Sequence, residues 1–329
     1  MKKTPILWII SLIVIYTFFL SGCGAKALSS SPPVTKDTST EKAVNSAPIS
    51  VKTSLLEPAP PVHHQLPGDI SGSGQVILDD VSEENAALNQ ASAGDKFDDG
   101  LFERPFDQRM GYLGNLDIVK AEMVRNDPDF VYVSIQVANP VSAAINNRAY
   151  YGLELDPNRD GRNVYMIRGV GPLTDIWTTE GVDVWKSTSA EQPNIVAGEG
   201  VIPVTGSLGF DVNLMKAGRG SDNDLAWIRL KPGFDDTVEI AFKNKIIGGD
   251  QGKFSWRPFT DGAVFSEKAY DLQVSYTLEQ AGSPYKDEPD YPLKDVFAVD
   301  NTCRMASGYE PTGNEPGLCP QTLPGTAPQ

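Results

Sequence analysis

Phe130-Val131-Tyr132-Val133-Ser134-Ile135-Gln136-Val137 alternates with a period of two, so Val131, Val133, Ile135 and Val137 fall on one face of an extended chain. That spacing predicts a half-buried strand. The same period recurs in Tyr151, Leu153 and Leu155, in Val238, Ile240 and Phe242, and in Leu272, Val274, Tyr276 and Leu278. Leu116 to Val124, Asn163 to Arg168, Trp177 to Trp185, Gly209 to Leu214 and Leu225 to Leu230 are further strand candidates. Short strands separated by turn residues, with no convincing amphipathic helix, predict an all-β domain over residues 97–285, an antiparallel β-sandwich.

On the N-terminal side of this domain the composition changes. Residues 23–96 are rich in Ser, Thr, Pro, Ala and Gly, with Ser29-Ser30-Ser31-Pro32-Pro33 and Pro58-Ala59-Pro60-Pro61 as the clearest marks. Such a segment cannot bury enough apolar surface to offset its ordering entropy, and it reads as a disordered tether. Leu78 to Ala91 is a candidate short helix within it, with Asp79 or Asp80 near its start. After Ser283-Pro284 the strand signal fades, and residues 286–329 read as an irregular C-terminal extension ending in a loose tail from Gln321.

The first 22 residues are of a third kind. Met1-Lys2-Lys3 precedes an almost unbroken apolar run from Ile6 to Leu20, the arrangement of a signal peptide, and the run is shorter than the roughly 20 residues that span a bilayer as a helix. It ends in Leu20-Ser21-Gly22-Cys23, which closely resembles the lipobox of bacterial lipoproteins. The resemblance implies cleavage before Cys23 and acylation of that cysteine, for instance by palmitate, placing the protein on the extracytoplasmic side of a bacterial membrane, at the cell surface or the periplasmic face. An ordinary secretory peptide or an uncleaved span is the alternative. With Cys23 assigned to lipid, Cys303 and Cys319 remain as a pair. In oxidising surroundings they are candidates for a disulfide, which over such a loop is worth roughly 3 kcal/mol in the chain-entropy model. A free or metal-binding pair is the alternative.

The net charge of −15 disfavours phosphate-rich partners, which excludes nucleic acid and leaves membrane association to the lipid anchor alone. Only two histidines occur, His63 and His64, side by side in the predicted tether. The folded region is therefore expected to lack an imidazole for general-base catalysis or transition-metal binding. Carboxylate-dependent glycoside hydrolysis survives this test, but no acid pair stands out.

Two clusters are candidates for binding. Asp156, Asn158 and Asp160 alternate as oxygen donors before Gly161, like the first half of an EF-hand calcium loop. The second half departs from it, with Ile167 where the bidentate Glu would stand. A tight turn asks for the same residues on backbone grounds. The second cluster is aromatic. With Val182 and Val184 facing inward, Trp185 points the other way beside Asp183; with Val131 and Leu153 inward, Tyr132, Tyr150 and Glu154 turn outward. Read as lying on neighbouring strands, Tyr132, Tyr150, Glu154 and Trp185 make a surface suited to stacking on a sugar ring. Core burial of the tryptophans is the competing reading.

Leu116-Asp117-Ile118-Val119, Phe130-Val131-Tyr132-Val133 and Tyr151-Gly152-Leu153-Glu154-Leu155-Asp156, leading into Asn158-Arg159-Asp160-Gly161, together resemble the jelly-roll-like DOMON sandwiches related to family 9 carbohydrate-binding modules. The resemblance implies extracellular sugar binding, often with structural calcium, or haem in some cytochrome domains, for which no axial histidine is present. Tyr291-Pro292-Leu293 and the run from Val299-Asp300-Asn301-Thr302-Cys303 to Cys319 look like the tails of uncharacterised bacterial surface lipoproteins. The expectation is a lipid-anchored binding protein for carbohydrate or another envelope polymer, with Ca²⁺ at Asp156, Asn158 and Asp160. Its rival is a structural or protein-interaction module of the envelope.

Overall fold

The computed structural model describes residues 59–91, 102–143, 148–171, 174–191, 195–197, 200–202, 209–270, 282–283, 285–287 and 292–320. Cys23 with the signal segment, residues 23–58 of the predicted tether, the predicted strand Leu272 to Leu278 and the tail from Gln321 lie outside them. In chain order the strands are β1 (Gln75–Leu78), β2 (Phe102–Arg104), β3 (Ile118–Val124), β4 (Phe130–Val137), β5 (Tyr150–Asp156), β6 (Tyr165–Val170), β7 (Val182–Lys186), β8 (Ile195–Ala197), β9 (Gly200–Ile202), β10 (Val212–Lys216), β11 (Arg219–Gly220), β12 (Ala226–Leu230), β13 (Thr237–Lys243), β14 (Phe254–Asp261), β15 (Val299–Asn301) and β16 (Met305–Ser307). Two short helices, α1 (Glu83–Leu88) and α2 (Thr188–Glu191), interrupt them.

The strands form two antiparallel sheets packed face to face. One has the order β1-β3-β4-β13-β12; the larger runs β11-β10-β7-β6-β5-β14-β15-β2, with β16 also paired to β14, and β8 and β9 make a separate hairpin. The period-two faces meet between the sheets. Val131, Val133, Ile135 and Val137 share one core with Tyr151, Leu153, Leu155, Val182, Val184, Val238, Ile240 and Phe242, and each such side chain contributes about 1.5–3 kcal/mol by leaving water. The fold is the all-β sandwich that the alternation predicts.

β14 is the strand that alternation alone did not reveal. It carries Arg257 and Pro258 in its middle, and proline in a central strand normally removes a ladder bond. Here Phe254, Ser255 and Trp256 pair with β16 while Phe259, Thr260 and Asp261 pair with β15. Arg257 and Pro258 face the gap between those two strands, so on that side no ladder bond is lost. Cys303 lies in the connection across the gap and is disulfide-bonded to Cys319. The C-terminal extension is thus less irregular than expected, because β15 and β16 belong to the larger sheet.

The predicted tether also differs. Its described part, residues 59–91, lies on the sandwich: β1 pairs with β3 over four residues, and Ile77 enters the core at 2% exposure. A few apolar anchors, Ile70, Ile77 and Ala91 among them, and a ladder of backbone bonds hold a segment that composition marks as too polar to fold by itself. The helix is shorter than Leu78 to Ala91.

Candidate metal centre

The surface predicted for a sugar is not assembled. β4 and β5 belong to different sheets, so facing outward sends their side chains to opposite sides of the sandwich. Tyr132 lies on the outer face of the five-stranded sheet, 3% exposed, among Val124, Phe130, Trp227 and Ala241. Tyr150, Glu154 and Trp185 do share the outer face of the larger sheet, where Arg257, Glu154, Met166 and Trp185 follow one another across β14, β5, β6 and β7. These groups are engaged within the protein. Glu154 Oε2 accepts from Arg257 Nε at 2.6 Å, with both side chains fully buried. The Arg168 guanidinium stands 4.2 Å over the Tyr150 ring, and half-buried Trp185 packs on Met166, Phe210, Phe259 and Tyr270. Gly152, between Tyr150 and Glu154 on the same face, leaves no open space, since a Cβ there would fall 2.3 Å from Phe259 Cζ.

The Asp156 loop is built as a turn. Asp156, 1% exposed, accepts from the backbone N–H groups of Arg159 (2.7 Å) and Gly161 (2.7 Å), one on each oxygen. Asp160 accepts from Arg162 N and pairs with its guanidinium at 3.1 Å, while Asn158 Nδ2 donates to Ala190 O. Arg159 and Gly161 hold φ of 61° and 85°, which the aspartate bonds to the backbone help to secure. Burial pushes Asp156 up to about 6. Both oxygens of Asp156 thus serve the turn, and Asn158 and Asp160 are engaged with neighbouring groups.

A different set of carboxylates is arranged otherwise. Glu103 on β2 and Asp300 on β15 are direct cross-strand partners, a placement in which like charges repel. Asp79, immediately after β1, joins them, and one ligand oxygen from each of Asp79, Glu103 and Asp300 lies within 4.8 Å of the others. Asp117, immediately before β3, adds a fourth charge beside them. No protein family, curated protein or solved structure matches the chain. The chemistry of this centre therefore has to be read from its own geometry.

That geometry has a pattern. Asp300 Oδ2 accepts from Ile118 N at 2.6 Å, Asp117 Oδ2 from Ser82 N (3.0 Å) and Tyr112 Oη (2.5 Å), and Asp79 Oδ1 from Asp80 N (3.1 Å). The other oxygen of each, Asp300 Oδ1, Asp117 Oδ1 and Asp79 Oδ2, is shielded from solvent and has no donor. Ser82 ties the set together, because its Oγ donates to Glu103 Oε1 at 2.5 Å while its N–H serves Asp117. Asp117 and Asp300 are 0% and 1% exposed, Glu103 3%. Burial, reinforced by the neighbouring carboxylates, pushes Asp79 up to about 8, Glu103 up to about 9 and Asp300 well above the carboxylate range. Burial also lifts Asp117 to about 6. The cationic neighbour in sequence, Arg104, alternates to the other side of β2, where it donates to Ala91 O.

All-oxygen, all-carboxylate donors select hard cations, and separations of this size suit Ca–O distances of about 2.3–2.6 Å. None of these acids was a sequence candidate, because they come from four separate segments and no local spacing links them. Another correction concerns His63, which belongs to the packed structure. Its Nδ1 is 2.7 Å from Asp224 Oδ1, its ring centroid 4.5 Å from that of Trp227, and its Nε2 3.5 Å from Thr179 Oγ1. The order hydroxyl, imidazole, carboxylate matches an acid–base relay, but Thr179 is 3% exposed, and the arrangement pins the N-terminal segment to the sheet.

Proposed function

We propose that the chain is a lipid-anchored, extracytoplasmic and non-catalytic interaction module of a bacterial cell envelope, whose sandwich is closed by a calcium ion held by Asp79, Glu103 and Asp300. The observation that supports this reading is the pairing of one tied and one donor-free oxygen on each of Asp79, Asp117 and Asp300. Leaving such groups buried without a partner costs about 1–3 kcal/mol each, more where charged. An ion would complete them and cancel their repulsion. It would also join the β1 end of one sheet to the β2–β15 edge of the other. Ca²⁺ at the millimolar level of extracellular modules suits such a structural role. The sugar-stacking alternative loses support where Glu154 and Tyr150 are engaged by Arg257 and Arg168.

Thermal unfolding of the full-length protein in Ca²⁺ and in chelator tests the reading. The midpoint rises with Ca²⁺, by the equivalent of about 2.7 kcal/mol at a hundredfold excess over Kd, and Asp300→Asn abolishes the rise. An unchanged midpoint, or an equal response in Asp300→Asn, would overturn it. Membrane fractionation tests the anchor separately: Cys23→Ser releases the protein, whereas continued retention would argue for an uncleaved segment.

A further inference from the structure

The outer face of the five-stranded sheet is covered by the chain's own residues 62–71, and it holds them mainly by their backbone. Across that face β4, β13 and β12 place Tyr132, Ala241 and Trp227 in one row. A methyl group between two large rings leaves a trough. Trp177, from the loop before β7, walls it, with its ring 6.1 Å from that of Tyr132 and the Arg229 guanidinium 4.3 Å over it.

The segment lays its main chain along this trough. Asp224 Oδ2 accepts from His64 N (2.8 Å) and Gln65 N (2.9 Å). Gly68 is gripped on both sides: its N–H donates to Tyr132 Oη at 3.0 Å, and its carbonyl accepts from Trp177 Nε1 at 3.0 Å. Asn223 Nδ2 reaches Val62 O at 3.4 Å, and Asn126 Nδ2 donates to Ser71 O at 2.7 Å. The side chains of Val62 and Leu66 are meanwhile 66% and 68% exposed. Pro67 is buried, Ile70 packs on the aromatic cluster, and His63 lies against Trp227.

An ordinary packed loop is retained by its apolar side chains. Here side chains of the sandwich read main-chain N–H and C=O groups while Val62 and Leu66 face water. His63, Pro67 and Ile70 pack on the sheet, and Asp69 pairs with Arg229 at 3.0 Å. Proteins hold linear peptides in this way: backbone bonds supply affinity and a few pockets supply selectivity. Aromatic-lined grooves suit proline-containing segments because proline lowers the entropy lost on docking. Pro67, buried directly before Gly68, meets that condition. We propose that this trough is a recognition site for a linear, proline-containing peptide of a partner protein, with residues 62–71 as the resident occupant. The partner segment carries a Pro-Gly step, so that a proline is buried and the next residue offers both its N–H to Tyr132 and its C=O to Trp177.

The probe is a labelled synthetic peptide with the sequence of residues 59–71, followed by fluorescence anisotropy against full-length protein. Two variants uncover the trough. Gly68→Pro removes the N–H given to Tyr132, and a second chain has residues 61–68 replaced by alternating Gly and Ser. Both bind the peptide at least about tenfold more tightly than the unmodified chain, whose apparent affinity is reduced by the fraction of molecules already covered. Adding Trp177→Phe to either variant weakens binding about tenfold, the loss of one bond to the peptide carbonyl. The proposal is overturned if the folded variants do not bind, if Trp177→Phe changes nothing, or if the unmodified chain binds equally well. A dimer formed by exchanging residues 59–71 between copies, seen by light scattering and abolished by Gly68→Pro, would assign the trough to self-association and also overturn it.

Discussion

Two of the places where the protein buries charge treat it in opposite ways. On the outer face of the larger sheet, Glu154 is matched by Arg257, and Arg168 lies near Asp183 and Glu267 at 3.7 and 3.9 Å. At the joint between the sheets, Asp79, Glu103, Asp117 and Asp300 are gathered with backbone N–H groups, hydroxyls and one another. A paired buried charge is accounted for by the fold. A buried cluster of one sign is not, and its raised pKa values mean that a cation would have to displace protons to bind there.

Substitutions separate the two cases. The largest effect belongs to the matched pair: Arg257→Met leaves Glu154 buried without its counter-charge and costs about 3–5 kcal/mol in denaturant unfolding, in Ca²⁺ and chelator alike. A cost below about 1 kcal/mol would break the contrast, because it would mean that water reaches Glu154. Next comes the like-charged cluster. Asp300→Asn in chelator is no less stable than the parent, since an amide of the same shape replaces a group whose ionisation burial disfavours, whereas in Ca²⁺ it forfeits the ion's contribution of about 2–3 kcal/mol. Equal loss in both media would make Asp300 a structural acid like Glu154.

Smaller effects mark the edges of the comparison. Asp160→Ala breaks a turn bond and costs about 1 kcal/mol, while the midpoint rise with Ca²⁺ stays intact; a lost rise would move the ion to the Asp156 loop. The smallest effect is expected at Asp222. Burial opposes its ionisation, but Lys243 and Lys245 outweigh it and hold its carboxyl down at about 2. An unfolded aspartate titrates near 3.9, so this stabilisation is present above that pH and fades as pH falls towards 2. Screened by solvent, it amounts to less than about 1 kcal/mol. Asp222→Asn should flatten the stability curve in that window and nowhere else; unchanged acid sensitivity would assign the window to other groups.

The sequence shows why one part was legible and the other was not. Val131, Val133, Ile135 and Val137 announce their face because a strand's periodicity is local, and the core they enter needs no knowledge of the partner strand. The sheet to which β4 and β5 each belong is not local, and that is where Tyr132 parted from Tyr150 and Glu154. β14 was masked by Arg257 and Pro258, whose tolerance depends on two flanking strands from the C-terminal extension. Cys303 and Cys319 were legible by count, once Cys23 was set aside. The acid cluster was illegible for the opposite reason: aspartates near turns and strand ends are commonplace, and only the register of β2 against β15 turns two of them into neighbours. His63 was misplaced because composition judged its segment by what it can bury, whereas the sheet holds that segment by its backbone.

The cluster also orders events in time. Asp79 directly follows the first strand and Asp300 lies in a strand near the other end of the described chain, so bringing them together carries a large loop-closure entropy. A half-made chain has no such site. An ion bound there would come last and act as a seal, resisting escape from the finished fold while doing nothing to speed its formation.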